Sequence, residues 1–350
     1  MKKPLHMLFC TGLLLAVWLG GSDGLLQADT EPHPGSEAFV TRMVQQYDLD
    51  AEHVRSTLAA AKYQQSIIDA ITRPAEGKPW HEYRKIFLTR TRTLNGLRFW
   101  QQHGDLIDQV AAHYGIAPEV ILAIIGVETS YGRITGGYRV LDALVTLGFY
   151  YPRRAEFFSS ELGQLFVLSD KEQLSISELT GSYAGAMGLG QFMPSSYQAY
   201  AVDFDNDGVR DLWGSLPDAI GSVANYLHAH GWESGAAICI PLHVDSPEQL
   251  SPELLTELSA DGNYKPQRSI AEWRELGLGI SAGVDGERLA SLIELDGEDG
   301  KQYWLGLQNF YVITRYNRSP LYAMAVVQLS QALREAYTAE SDPDGELAAR

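Results

Sequence analysis

Hydrophobic residues recur every three or four positions along most of this chain, which is the spacing of amphipathic helices. The spacing predicts helical segments at 37–71, with a break after residue 48, and at 80–100, 106–114 and 323–337. The candidate core residues of these segments are Phe39, Met43, Tyr47, Val54, Leu58, Ile67, Ile68, Ile71, Tyr83, Ile86, Phe87, Leu94, Trp100, Met324, Val327 and Leu329.

Between residues 235 and 310 the pattern changes to short alternating apolar segments separated by glycine-containing turns. We predict strands at 238–244, 279–282, 292–295 and 303–307, together with one helix at Ile270–Glu275. The predicted fold class is therefore mainly α, with a small β-rich insertion ahead of the closing helix.

The first residues have the pattern of a secretory signal. Lys2 and Lys3 precede an apolar segment at 7–19 that is shorter than the roughly 20 residues of a membrane span. Cys10 follows Phe9, where a lipoprotein signal has a small residue, so we expect export to the periplasm without a lipid anchor. Removal of residues 1–28 would leave Cys239 alone, and the exported chain would have no internal disulfide.

The formal net charge of −17 argues against nucleic acid or an anionic membrane as the main partner.

Residues 121–132 place one carboxylate, that of Glu128, near the end of a strongly apolar helix. Pro118 and Glu119 suit its first turn and Gly132 suits its stop. Burial and the negative end of the helix would both raise the pKa of Glu128, as a general acid requires near neutral pH. The alternative is a carboxylate in a structural hydrogen-bond network.

Two further segments carry candidate binding residues. Arg153 and Arg154 follow an aromatic pair and could hold a carboxylate of the substrate or fix the catalytic Glu, or they could simply begin a solvated helix. The segment 182–197 is rich in glycine and alanine, which let the backbone approach a ligand or another element closely. Ser182 and Gln191 offer hydrogen bonds there. The alternative is a tightly packed loop with a helix start at Pro194.

The segment beginning at residue 203 matches the opening of an EF-hand loop, with carboxylates at positions 1, 3 and 5 and Gly208 at position 6. Position 12 is Gly214 instead of Glu, and Asp218 is the natural replacement. The candidate calcium ligands are Asp203, Asp205, Asp207, the carbonyl of Val209, and Asp218. We expect a structural calcium ion, and the alternative is a metal-free turn.

Several motifs occur here in one order: Glu-Thr-Ser-Tyr-Gly, Tyr-Pro-Arg-Arg, Gly-Ala-Met-Gly-Leu-Gly-Gln-Phe-Met-Pro-Ser-Ser-Tyr, the Asp-rich loop and Ile-Thr-Arg-Tyr-Asn. In these motifs the chain resembles the lytic murein transglycosylase B family over residues 37–338. The resemblance implies a goose-lysozyme-like helical core with flanking α and β domains and a calcium loop. It also implies cleavage of the MurNAc–GlcNAc bond of peptidoglycan to leave a 1,6-anhydro-MurNAc end.

Carried over by position, the resemblance makes Glu128 the single catalytic acid/base. The residues that it implies for sugar and peptide contacts are Ser182, Gln191, Tyr226, Tyr316, Asn317 and Tyr322, with Arg153 and Arg154 behind the catalytic site. We therefore divide the chain into a signal (1–28), an N-terminal helical region (29–100), a lysozyme-like core (101–233), a β-rich domain (234–310), a return to the core (311–338) and a disordered tail (339–350).

Two other functions stay open at this point: a hydrolytic muramidase that uses water on the same Glu, and a non-catalytic wall-binding protein. We expect a monomer that binds glycan strands, with other cell-wall enzymes as further partners.

Overall fold

The computed structural model describes residues 32–73, 75–243, 254 and 264–341. In chain order the helices are α1 (Ser36–Tyr47), α2 (Ala51–Ala59), α3 (Gln65–Ile71), α4 (Trp80–Phe87), α5 (Arg90–Tyr114), α6 (Pro118–Thr129), α7 (Val140–Tyr150), α8 (Ala155–Glu172), α9 (Pro194–Tyr200), α10 (Leu216–Ala229), α11 (Ile270–Glu275), α12 (Gln308–Tyr316) and α13 (Pro320–Ser341). Short 3-10 turns occur at Ala75–Gly77 and Pro152–Arg154.

The strands are β1 (Tyr138–Arg139), β2 (Thr180–Gly181), β3 (Cys239–Leu242), β4 (Arg268–Ser269), β5 (Leu289–Asp296) and β6 (Lys301–Gly306). β1 and β2 form a two-stranded antiparallel ribbon. The other four form an antiparallel sheet in the order β3-β6-β5-β4, with Ile293 opposite Trp304 on its central pair. A second apolar cluster, which includes Ile270 and Trp273 of α11, packs on this sheet.

Helix α6 lies at the centre of the core, packed against α5, α10 and α13. Every residue from Glu119 to Val127 is buried, because apolar side chains cover the whole circumference of the helix. Two glycines permit the close packing: a Cβ on Gly96 of α5 or Gly126 of α6 would meet the Tyr131 hydroxyl at 2.2 or 2.6 Å. Within the described residues no single helix is long and apolar enough to cross a membrane, although α5 and α6 together, bent by 111°, have the length and composition for it.

The helices predicted within 37–71 are largely confirmed. The single helix predicted at 80–100 is wrong, because two helices share these residues. The chain leaves the helix at Leu88 and Thr89, and the Thr89 side chain then caps α5 by accepting from the Arg92 N–H at 3.2 Å. Helix α5 also includes the segment predicted separately at 106–114, with a kink at His103. Ile86 and Leu94, predicted as core residues, are 41% and 38% exposed.

The helix at Ile270–Glu275 is confirmed, and its start is fixed by a capping box between Ser269 and Glu272. The predicted strand at 279–282 is wrong. Arg274 donates to the carbonyls of Ile280, Ser281 and Val284, so this segment wraps around a guanidinium group instead of pairing with a strand.

Two predicted segments lie wholly or mostly outside the described residues: the N-terminal signal, with Cys10, and the C-terminal tail. Helix α13 continues to Ser341, so residues 339–341, predicted as disordered, are helical. The division of the chain into domains stays a prediction.

Candidate active site

Glu128 lies in the last turn of α6 and is half-buried. The hydroxyl of Tyr322, at the start of α13, donates a hydrogen bond of 2.6 Å to Glu128 Oε1. Tyr322 is only 3% exposed. Because this bond uses one carboxylate oxygen, the geometry holds Glu128 in a defined orientation at the end of a rigid helix.

The turn after Glu128 is unusual, because three consecutive residues have positive φ: Ser130 (51°), Tyr131 (62°) and Gly132 (79°). The helix therefore ends at Thr129, three residues before the predicted stop at Gly132. Thr129 stabilises this turn: its hydroxyl donates to Leu189 O at 3.0 Å and accepts from the Gly132 N–H at 3.1 Å. Left-handed backbone at non-glycine residues is strained and concentrates at functional sites.

Thr129 was not among the candidates. Its place beside Glu128 in the Glu-Thr-Ser motif was the signal that could have identified it.

The glycine- and alanine-rich segment 182–192 approaches other parts of the protein very closely. A Cβ on Gly188, whose φ is +69°, would lie 2.5 Å from Leu212 O, and one on Gly185, whose φ is +82°, would lie 2.6 Å from Leu144 Cδ2. The small residues are therefore explained by packing against protein, as in the alternative of a tightly packed loop. The helix start at Pro194 is confirmed.

Ser182 and Gln191 both hold this loop in shape. Ser182 Oγ accepts from the backbone N–H groups of Ala184 (3.3 Å) and Ala186 (3.1 Å). Gln191 has a left-handed φ of 53°, and its Nε2 donates to Thr135 O (3.1 Å) and Gly188 O (2.9 Å). Both side chains are half-buried, so polar atoms remain at the edge of the loop.

Three predicted tyrosines join this loop to the catalytic helix. Tyr316 donates to Gly190 O and Tyr226 donates to Arg315 O, each at 2.5 Å, and their rings lie 4.7 Å apart. Burial raises the pKa of Tyr316 and of Tyr322, and the negative charge of Glu128 raises both further. These hydroxyls consequently stay protonated and act as hydrogen-bond donors at neutral pH.

The remaining predicted residues lie at more open positions. Asn317 is half-buried and ends α12, with its N–H donating to Ile313 O at 3.4 Å. Arg153 and Arg154 are exposed, and the Arg154 guanidinium lies 4.4 Å from the ring centroid of Phe157. This stacking fits the alternative of a solvated helix start, and the role of the two arginines beside the catalytic site stays a prediction.

The Asp-rich loop brings carboxylates together from both of its ends. Oxygen atoms of Asp203, Asp205 and Asp218 lie within 4.8 Å of one another. The Asp207 carboxylate instead accepts from the Val209 N–H at 2.8 Å, and both residues are exposed. Asp218 is therefore close enough to Asp203 and Asp205 to share one cation with them, and its role as the replacement for Glu at loop position 12 stays a prediction.

This donor set fits a calcium ion. Asp218 is fully buried, and its two oxygens accept from Phe204 N at 2.7 Å and Asp211 N at 2.9 Å, which fixes the carboxylate at the base of the loop. Three carboxylates this close repel one another unless a cation lies between them, and hard oxygen ligands are those that Ca²⁺ prefers.

Comparison with known proteins identifies the family of this chain. The model of the transglycosylase SLT domain matches residues 32–331. This chain belongs to that family. It is 42% identical over 315 residues to the membrane-bound lytic murein transglycosylase B of Escherichia coli (strain K12), which covers 87% of this chain and 84% of that protein.

Two solved structures in this transglycosylase family are also similar. The soluble lytic transglycosylase SltB1 from Pseudomonas aeruginosa is 43% identical, with a TM-score of 0.78 over 87% of this chain and 99% of that one. A lytic transglycosylase from Escherichia coli in complex with calcium is 42% identical, with a TM-score of 0.76 over 87% and 94% of the two chains. The predicted fold class, a mainly α transglycosylase with a lysozyme-like core, is confirmed. The roles of individual residues are not tested by these similarities and stay predictions.

Proposed function

We propose that the protein is a lytic transglycosylase that cleaves the β-1,4 bond between MurNAc and GlcNAc in peptidoglycan and leaves a 1,6-anhydro-MurNAc end. The observation that carries the proposal is the Glu128 carboxylate, half-buried at the end of α6 and hydrogen-bonded by Tyr322. Family membership and 42% identity to a murein transglycosylase support the same substrate.

In the first step Glu128 acts as a general acid. The Glu128 carboxyl group, oriented by the hydrogen bond from Tyr322, gives its proton to the glycosidic oxygen as the bond to C1 of MurNAc breaks. Glycosidases commonly use two carboxylates. We propose a mechanism in which Glu128 is the single catalytic carboxylate. The N-acetyl oxygen of the substrate then stabilises C1 in place of the second.

In the second step the ionised Glu128 acts as a base. It removes the proton from the C6 hydroxyl of the same MurNAc, whose oxygen attacks C1 and closes the anhydro ring. The intramolecular hydroxyl has a high effective concentration, which favours it over water. Glu128 is left protonated, ready for another turnover.

We propose that the loop 182–192 and the tyrosines hold the sugar and its peptide. Ser182 and Gln191 present polar atoms from a rigid loop, and Tyr226, Tyr316 and Asn317 lie around α12 next to it. Because Tyr226 and Tyr322 are buried and the tyrosine hydroxyls donate to Glu128 and to backbone carbonyls, these tyrosines would act by fixing the geometry of the sugar site.

We propose that Asp203, Asp205 and Asp218 hold a structural calcium ion, with Asp207 and the carbonyl of Val209 completing its shell. The calcium complex of a similar transglycosylase supports this site. The ion would fix the loop before α10, the helix that carries Tyr226.

Peptidoglycan lies outside the cytoplasm, so we propose that the protein acts there, as a monomer exported by its N-terminal segment.

The test is the substitution Glu128→Gln. The amide keeps the size of the side chain but cannot exchange the catalytic proton, so we expect turnover of purified murein to fall below detection with folding intact. Glu119→Gln, nine residues earlier in α6, is the matched control and should keep activity. Mass analysis of the wild-type products distinguishes the mechanisms, because an anhydro product is one water lighter than a hydrolysis product. Normal activity of Glu128→Gln, or a hydrated product, would contradict the proposal.

A further inference from the structure

A polar groove follows the side of α13 that faces away from the catalytic site. Tyr322 contacts Glu128 near the start of α13, and Gln328, Gln331 and Glu335 follow it by six, nine and thirteen residues. At about 100° per residue these three side chains lie on the opposite side of the helix. They line a cavity of about 380 Å³ together with Arg84, Thr89 and Arg90.

A second cavity of about 470 Å³ continues this space towards the β-sheet. It shares Arg84 and Gln328 with the first cavity and is also lined by Trp304 of β6. We call the two cavities together the distal groove. It lies between α4, the start of α5, α13 and the sheet.

The charge near the distal groove is opposite to that of the whole protein. Residues 84–98 contain five Lys or Arg residues and no Asp or Glu, in a chain with a net charge of −17. Arg84 and Arg90 are exposed and, within the described part of the chain, form no salt bridge. Elsewhere Arg55, Arg139 and Arg210 are each paired with a carboxylate.

Local structure prepares these two cations for a ligand. Arg84 Nη2 donates to Gln328 Oε1 at 3.2 Å, and its guanidinium lies 5.9 Å from the ring centroid of Trp80, which leaves other N–H donors of the fork towards the groove. Arg90 is the first residue of α5, which is continuous up to its kink at His103, so the positive end of a helix lies at the same place. Both features favour an anionic group.

Charge complementarity defines the ligand. Two arginines suit two carboxylates, the exposed Glu335 suits one amine, and the amides of Gln328 and Gln331 suit peptide groups. We propose that the distal groove binds an acidic peptide with free carboxylates and one amine, namely the stem peptide of a peptidoglycan strand other than the one being cleaved. The identity of the peptide rests on the proposed function. Such a site would hold the enzyme on cross-linked murein while Glu128 acts on a neighbouring strand.

The experiment measures binding of a sugar-free peptide with a single amine, N-acetyl-L-alanyl-γ-D-glutamyl-meso-diaminopimelate, to the full chain by calorimetry. We expect the double variant Arg84→Ala/Arg90→Ala to bind it at least about tenfold more weakly than the wild type. The matched control Lys62→Ala/Arg73→Ala removes the same charge from exposed positions around α3 and should bind like the wild type. The same peptide with amidated carboxylates should not bind.

A kinetic comparison supplies a second readout. The Arg84→Ala/Arg90→Ala variant should keep the wild-type rate on soluble glycan strands without peptides and show a raised KM on intact sacculi. Equal peptide binding by the two double variants, or no binding to the wild type, would overturn the inference, as would preferential binding of anionic vesicles or oligonucleotides. Failure of the proposed function is a separate result, because peptide binding can be measured with Glu128→Gln, which does not turn over.

Discussion

The hydrogen bond from Tyr322 to Glu128 leads to a quantitative prediction for the variant Tyr322→Phe. The substitution removes one hydroxyl oxygen, 2.6 Å from Glu128 Oε1, from a side chain that is 3% exposed. A hydrogen bond to a charged group contributes about 1.5–3 kcal/mol. If that contribution orients Glu128 in the transition state, kcat should fall by about 10- to 100-fold.

The same substitution should change the pH profile of the enzyme. The direction of the change follows from the form of Glu128 that the Tyr322 hydroxyl stabilises. The Tyr322 O–H stabilises the ionised carboxylate, whereas the first catalytic step needs the protonated one. Without the donor the protonated form persists to higher pH, so the alkaline limb of the kcat/KM profile should move up by about one unit or more. The acid limb should not follow it.

The assay measures the release of soluble muropeptides from murein between pH 4 and 10. Tyr303→Phe is the matched control, because Tyr303 is also a buried tyrosine next to a glutamate, Glu294, which lies opposite it in the β-sheet. That variant should keep both the rate and the profile. Thermal unfolding of both variants shows whether either has lost its fold. An unchanged rate together with an unchanged alkaline limb in folded Tyr322→Phe would refute the role of this hydrogen bond.

Three other outcomes are expected. Chelation should lower the melting temperature, because calcium at a hundredfold excess over Kd stabilises the folded state by about 2.7 kcal/mol; Asp205→Ala should melt at the lower temperature whether or not calcium is added. Activity well below that temperature should fall much less on chelation than in Glu128→Gln, and a melting temperature insensitive to chelator would indicate a metal-free turn. Gly136→Ala should reduce both stability and activity, since its Cβ would lie 2.1 Å from Gly181 O at a φ of +95°, whereas Gly137→Ala, where a Cβ meets no atom within 4 Å, should be well tolerated. The wild-type enzyme should lose activity on the alkaline side as Glu128 ionises, and a flat rate from pH 5 to 9 would contradict its role as the acid.

Local patterns in the sequence were sufficient to predict many of the helices and the motifs of the candidate site. The apolar circumference of α6 predicted a buried helix, and the motifs around Glu128 and the Asp-rich loop predicted the family, because these signals depend on neighbouring residues. The predicted start of α9 at Pro194 and the capped helix at Ile270–Glu275 were confirmed for the same reason. Because Gly214 stands at loop position 12, the sequence analysis proposed Asp218 as the calcium ligand in its place. The structure brings Asp218 close to Asp203 and Asp205.

Tertiary structure decided what depends on contacts between distant residues. Ile86 and Leu94 have helical spacing but are 41% and 38% exposed, because helical spacing alone does not decide which side of a helix meets the core. Apolar and polar residues alternate in the segment 279–282 as in a strand, yet two of its carbonyl groups accept hydrogen bonds from the Arg274 side chain and do not pair with a strand. Tyr322 lies 194 residues from Glu128, so only the packing of α13 on α6 brings its hydroxyl to the carboxylate. The sequence therefore determined which residues could carry out the chemistry, while the long-range packing decided their orientation and opened the distal groove behind them.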